Sequence, residues 1–191
     1  MKIVLKRSVL VCISLAYLAC AKKKSEEQKS KHEPLSIIFM IGDGMGLPQI
    51  STAFYFGEST PNFEQFETIG LIKTSSTSHK ITDSAAGATA FATGEKTYKR
   101  AIGVSKDTLP LPSILETLQQ KGYQTGLVSL TSITHATPAS FYAHVNDRDL
   151  EDAIALQLVD ANVDFFAGGG LKHFIHREDQ KNLYDAMLVQ K

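Results

Sequence analysis

The chain has 191 residues, 43% of them hydrophobic and 21% charged, which bounds it to one ordinary domain, or part of a larger one, at roughly 150 residues per domain. That composition excludes a disordered tail, a fibrous repeat and a polytopic membrane protein. Twenty basic and twenty acidic side chains cancel to a formal net charge of zero, so no global field gathers the chain onto nucleic acid or acidic lipid, and no nucleic-acid-binding surface is expected.

In chain order, residues 1–20 read as an address. Lys2, Lys6 and Arg7 form a basic start, and residues 8–19 (SVLVCISLAYLA) are an apolar run. The run falls short of the about 20 residues a bilayer span needs but suits an export signal. It ends in Ala19-Cys20, and Cys20 is the later of only two cysteines. The pattern resembles a bacterial lipoprotein signal, although Tyr17 and Leu18 stand where other residues are usual. The expectation is an exported protein, in the periplasm or at the cell surface, held to a membrane by a lipid on Cys20. The alternative is an ordinary cleaved signal with Cys20 a bystander. Residues 21–34 (AKKKSEEQKSKHEP) are polar and aperiodic, as expected of a flexible charged tether. Folded structure is expected over 35–191.

Residues 35–41 (LSIIFMI) form a continuous apolar run, as in a parallel strand buried on both faces. Residues 70–74 suggest a second short strand. Ile114, Leu115 and Leu118 predict a helix over 111–121, with Gly122 as its stop. TGLVSL at 125–130 reads as a strand. Leu150, Ala153, Ile154 and Leu158 share one face of a helix over 149–161, with Asp149 as a candidate cap. VDFFA at 163–167 predicts another strand, stopped by Gly168-Gly169-Gly170, and a last helix is expected over 177–189. Strands alternating with helices indicate an α/β fold: a parallel-sheet layer with helices on both faces. Ligands in such folds lie beyond the carboxyl ends of strands.

Three stretches there carry chemistry. In GDGMG (42–46), Asp43 follows the first predicted strand, and a carboxylate so placed suits a hard metal ion. The plainer reading is a Gly-rich turn with Asp43 capping the next helix. In TDSAAGATA (82–90), followed by Thr93-Gly94, Asp83 is a candidate cap and Ser84 lies in a first turn, where free N–H groups and the macrodipole favour an anion. A small-residue helix packed on the sheet accounts for the same string. In THATPA (134–139) and YAHVNDR (142–148), His135 and Thr137 could face the crevice while Arg148 forks onto a phosphate. Equally, Thr137-Pro138 could start a helix, His135 could cap it, and Arg148 could pair with Asp147 or Asp149.

GDGMG, TDSAAGATA with its TG, HATPA and AHVNDR, in that order, resemble the alkaline phosphatase family from about residue 37 to 170. The resemblance implies phosphate monoester hydrolysis through a phosphoserine on Ser84, with zinc and magnesium as cofactors. It implies Asp43 as a carboxylate shared by zinc and magnesium, Thr137 as a magnesium ligand, and His135 at a third metal position where many bacterial members carry aspartate. Arg148 becomes the phosphate-clamping arginine and Asp83 the residue that orients it. Metals on both sides of the displacement would activate the serine and stabilise the leaving oxygen. A superfamily phosphodiesterase or sulfatase, and a non-catalytic remnant, are the alternative readings.

The same resemblance implies a longer protein. Family members exceed twice this length, and their remaining metal ligands come from a later half with no counterpart here. The chain therefore reads as the N-terminal part of an incomplete domain, poorly active or inactive alone, with a homodimer implied for a full-length chain. Of the other histidines, His32 lies in the tether, and His79 and His144 match no ligand. His173 and His176, spaced i, i+3, read as surface residues beside a loop and not as a metal pair. A cut parallel sheet leaves an edge and helical faces uncovered, so 35–191 alone is expected to be unstable or molten.

Overall fold

A computed structural model describes residues 35–189. The signal and tether expected over 1–34 lie outside the described residues. The chain divides into two units, Met1–Ile41 and Gly42–Lys191. Of the first, only residues 35–41 are described; they carry no regular strand, and Ile38 and Met40 are exposed. Residues 70–74 likewise form no strand, with Leu71 exposed. Both differ from the strands expected there. An apolar run makes a buried strand only when neighbours complete its ladder, and the partner is not written in the run itself.

The second unit opens with helix α1 (Leu47–Phe56), which has Pro48 in its first turn and buries no residue. A 3₁₀ turn follows at Asn62–Gln65. Helix α2 (Ser84–Thr93) starts at Asp83, whose side chain accepts from the Ala86 N–H, and stops at Gly94 in the left-handed region at φ 78°. Helix α3 (Ile114–Gln120) starts three residues later than its apolar spacing predicts. Pro110 and Pro112 hold the preceding residues extended, and Ser113 and Glu116 close a capping box: Glu116 N–H donates to Ser113 Oγ, and Ser113 N–H to Glu116 Oε2.

Strands β1 (Gly126–Ser132) and β2 (Phe165–Gly169) pair in parallel, with Gly126 opposite Phe165 and Val128 opposite Ala167. Each runs two residues further than TGLVSL and VDFFA predict, and Gly168 and Gly169 belong to β2. The ladder is irregular between Val128 and Ser132. The crossover carries the short helix α4 (Ala136–Ala139) and helix α5 (Glu151–Asp160), as a parallel pair requires. Asp149 does not cap α5; Leu150 precedes it, with no side-chain cap.

Past β2 comes α6 (Lys172–Ile175), which the sequence did not suggest, and the helix expected over 177–189 begins only at Leu183, as α7 (Leu183–Val189). Arg177 explains the late start. Its guanidinium pairs with Asp179 and donates to the carbonyls of Asp152 and His173, which ties the intervening chain to α5. His173 is no surface residue either: its side chain is mostly buried, with Nδ1 2.8 Å from Asp152 and Nε2 3.1 Å from Glu151.

The core joins α2, α4, α5 and the segment between α4 and α5. Ala85, Ile102, Ala136, Ala139, Tyr142, Ile154 and Leu158 pack in one cluster. Small residues on α2 allow this close approach. Thr89, fully buried, pins the loop beyond α2 by donating to the Ala101 carbonyl and accepting from the Gly103 N–H.

Candidate active site

Asp43 sits in a tight turn closed by the Met45 N–H on the Gly42 carbonyl, with Gly44 at φ 69°. A positive φ there favours glycine, which is why GDG, and not a helix cap, occupies this place. The turn presents the Asp43 carboxylate to two hydroxyls. Ser84 Oγ donates to Oδ1 at 3.0 Å, and Thr137 Oγ1 donates to Oδ2 at 3.1 Å. Ser84 is the first residue of α2 and Thr137 lies in α4, just past the carboxyl end of β1. Three residues far apart in the chain thus meet around one carboxylate.

A second cluster adjoins the first through chain neighbours. Arg148 reaches Asp83 Oδ2 at 3.4 Å and His135 Nε2 at 2.9 Å. A guanidinium only donates, so Nε2 of His135 accepts and the ring proton resides on Nδ1. His135 makes no cap bond to α4. Arg148 and Asp83 are both largely buried, with side-chain exposures of 20% and 13%.

Asp83 is the most heavily bonded carboxylate here. Its Oδ1 accepts from the Ala86 N–H at 3.1 Å, and both oxygens accept from the Arg100 N–H at 3.2 Å. Burial by itself would raise the Asp83 pKa; the Ala86 and Arg100 N–H groups and the Arg148 guanidinium outweigh it and hold the carboxyl below its ordinary value.

All six residues singled out from the sequence fall in these two sets: Asp43, Ser84 and Thr137 in one, Asp83, His135 and Arg148 in the other. The ion pair of Arg148 with Asp147 or Asp149 does not form. Arg100 takes both aspartates, with a two-pronged contact to Asp147 at 2.8 Å on each side and a further contact to Asp149. The Arg100 contact holds the Asp147 carboxyl down to about 2. No local pattern marks Arg100, because its partners lie 47 and 49 residues away.

Two other polar groups also escaped the sequence reading. Glu151 accepts from Ser132 and Thr134 at the end of β1. His144 lies 2.7 Å from the Gly103 carbonyl and 3.0 Å from Glu116. Burial would raise Glu116, but the Ser113 N–H and His144 hold it below its ordinary value.

Among the described residues no group of three His, Cys, Asp or Glu side chains could hold a metal ion. The Asp43 carboxylate with the Ser84 and Thr137 hydroxyls is nevertheless an all-oxygen set, the donor chemistry that hard divalent cations prefer.

A serine at a helix N-terminus, a carboxylate beside it and a held arginine, all at the carboxyl end of a parallel strand, define an α/β site that can receive a small anion. Comparison with known proteins gives this class its family. The family model described as alkaline phosphatase matches residues 35–187. The repressible alkaline phosphatase of Saccharomyces cerevisiae is 38% identical over 190 residues, covering 92% of this chain and 32% of the yeast protein. The solved alkaline phosphatase of the Antarctic bacterium TAB5 superposes with a TM-score of 0.76 at 52% identity, covering 78% of this chain and 43% of that one. A histidine-to-aspartate variant of the TAB5 enzyme, solved with magnesium in its M3 site, matches at 53% identity and a TM-score of 0.75, covering 78% of this chain and 42% of that one. The chain belongs to the alkaline phosphatase family and has its α/β fold. It spans about a third of the length of the curated relatives it matches.

Proposed function

We propose that residues 35–191 are the N-terminal part of an alkaline phosphatase that hydrolyses phosphate monoesters through a phosphoserine on Ser84. The observation that carries this reading is the meeting of Ser84, Asp43 and Thr137, with Arg148 held one residue away on Asp83. Ser84 Oγ attacks phosphorus and the alcohol leaves; water then releases phosphate from the serine. Asp43 Oδ1 accepts the Ser84 hydroxyl hydrogen bond and so fixes the nucleophile's rotor. Ser84 is the first residue of α2, where the helix dipole favours an anion beside the serine. Arg148 forks onto two phosphoryl oxygens, and Asp83 holds it at the height of the nucleophile.

Zinc and magnesium are the proposed cofactors. Asp43 and Thr137 offer hard oxygens, and His135 offers Nε2 once Arg148 turns to phosphate; the other ligands belong to the part of the family's length that this chain does not span. Bound cations supply the positive charge that makes a serine hydroxyl nucleophilic and stabilises a leaving oxygen. A site that grips the phosphoryl group and little of the alcohol gives broad monoester specificity.

The test is hydrolysis of p-nitrophenyl phosphate against bis(p-nitrophenyl) phosphate, with and without zinc and magnesium. In the full-length enzyme, monoester turnover that requires metal, and labelling by phosphate at low pH that vanishes in Ser84→Ala, are expected. Preferential diester turnover, or a label that survives Ser84→Ala, overturns the reading. Export, a lipid on Cys20, a tether over 21–34 and dimerisation of a full-length form complete the proposal. Cys20→Ser is expected to move the protein from the membrane fraction to the soluble one.

A further inference from the structure

Arg100 touches Asp83, on which Arg148 rests, and both aspartates that flank Arg148 in the chain. Its backbone N–H donates to both oxygens of Asp83, the carboxylate on which Arg148 rests. Its guanidinium takes Asp147 through Nε and Nη2 at 2.8 Å each, and Asp149 through Nη2. Asp147 and Asp149 are the chain neighbours of Arg148 on either side, and the Asp149 N–H closes the loop by donating to Asp147 Oδ1 at 2.9 Å. Arg100 itself holds a φ of 78°, a region that disfavours residues other than glycine.

As an isolated ion pair this contact would contribute little, since the Arg100 and Asp147 side chains are 43% and 40% exposed and solvent screens such pairs. Its position matters more. With Arg100 present, the Arg100–Asp147–Asp149 group carries one net negative charge. Without it, two uncompensated carboxylates flank the guanidinium that is to bind a phosphate dianion. They would repel the dianion and compete for Arg148.

We infer that Arg100 is a positioning residue for phosphate capture, occupying the two aspartates beside Arg148 so that its guanidinium stays on Asp83 and open to a phosphoryl group. The inference rests on the reading of Arg148 as the phosphate clamp. The positive φ at residue 100 makes glycine the clean substitution: Arg100→Gly relieves the backbone and keeps the N–H donor to Asp83, while removing only the guanidinium.

The experiment measures the dissociation constant of inorganic phosphate for the full-length protein of which this chain is proposed to be the N-terminal part, by titration calorimetry in zinc- and magnesium-containing buffer, with a thermal melt of each variant. Arg100→Gly is expected to weaken phosphate about tenfold, and Arg100→Lys, which keeps the charge but cannot fork, about threefold. The triple variant R100G/D147N/D149N is expected to recover phosphate binding to within about twofold, because the competing carboxylates are gone. A merely structural role would not be rescued that way. Unchanged phosphate affinity in Arg100→Gly, or a loss that the triple variant does not restore, overturns the inference. Arg148→Ala separates the two levels. If it leaves phosphate affinity unchanged, or if the unsubstituted protein binds none, the clamp reading fails and this inference fails with it. If Arg148→Ala weakens phosphate and Arg100→Gly does not, only the inference fails.

Discussion

The segment that carries Asp43 and the segments that carry the other site residues are built differently. Ser84, Thr137, Asp83 and Arg148 are fixed by a packed block in which Ala85, Ala136, Ala139 and Ile154 are almost completely buried. Asp43 precedes α1, a helix with no buried residue, and the apolar side chains of Tyr55 and Phe56 in it and of Ile69 and Leu71 beyond it are exposed. Asp83 is anchored by backbone donors, whereas the side-chain contacts of Asp43 are the Ser84 and Thr137 hydroxyls. One half of the site is preorganised by its own packing. The other half is positioned only by the site.

The sharpest way to break this contrast is chemical. Ser84→Ala in the full-length protein removes one of the two hydroxyls that join the halves, and monoester hydrolysis is expected to fall to background while stability stays within about 0.5 kcal/mol of the parent. A residual rate close to the parent's would remove Ser84 from the chemistry.

Next in size is the packed block itself. In the full-length protein, Ile154→Ala hollows a fully buried position in α5 and is expected to cost about 2–5 kcal/mol, read as a drop in the urea midpoint. A cost below 1 kcal/mol would mean that the block is not the rigid half.

Asp83→Ala removes the α2 cap and the rest for Arg148 together. About 1 kcal/mol is expected from the cap, a melting shift of roughly 2–4 °C, while Asp83→Asn keeps the cap and loses only the charge. The pH dependence has a definite sign. The folded-state pKa of Asp83 lies below its ordinary 3.8, so its stabilising contribution is fully present above that value and is lost as pH falls through the lower folded value. Asp147 behaves alike, losing its contribution between 3.8 and about 2. Acid titration of stability in Asp83→Asn is therefore expected to be flatter than in the parent below that value.

The smallest effect on stability belongs to the exposed half. Leu130 on β1 projects into solvent, and Leu130→Ser is expected to change stability by less than about 0.5 kcal/mol while lowering ANS fluorescence. Residues 35–191 alone are expected to bind ANS strongly and give weak near-UV CD. A sharp cooperative melt with no ANS binding would show that the apolar surface is covered in solution.

Much was legible in the sequence because it was local. The small residues and the Asp83 cap of α2, the helical face of α5 and the strand text at 125–130 came from short patterns, and the six candidate site residues from the order of the motifs and the family they resemble. What escaped depends on distant partners. Apolar runs at 35–41 and 70–74 look like strands because burial writes the same composition whether or not a ladder is completed. Arg148 beside Asp147 and Asp149 looks like a local ion pair until Arg100, 47 residues from Asp147, takes the aspartates away. His173 looks like a loop residue until α5 and α6 meet around it. Sequence alone determined which groups could do the chemistry, since residue type and local backbone preference are properties of short segments. Tertiary structure alone decided which hydroxyl meets which carboxylate and which carboxylate is kept from the arginine, since hydrogen bonds and charge pairs act over a few ångströms in space, between residues the chain holds far apart.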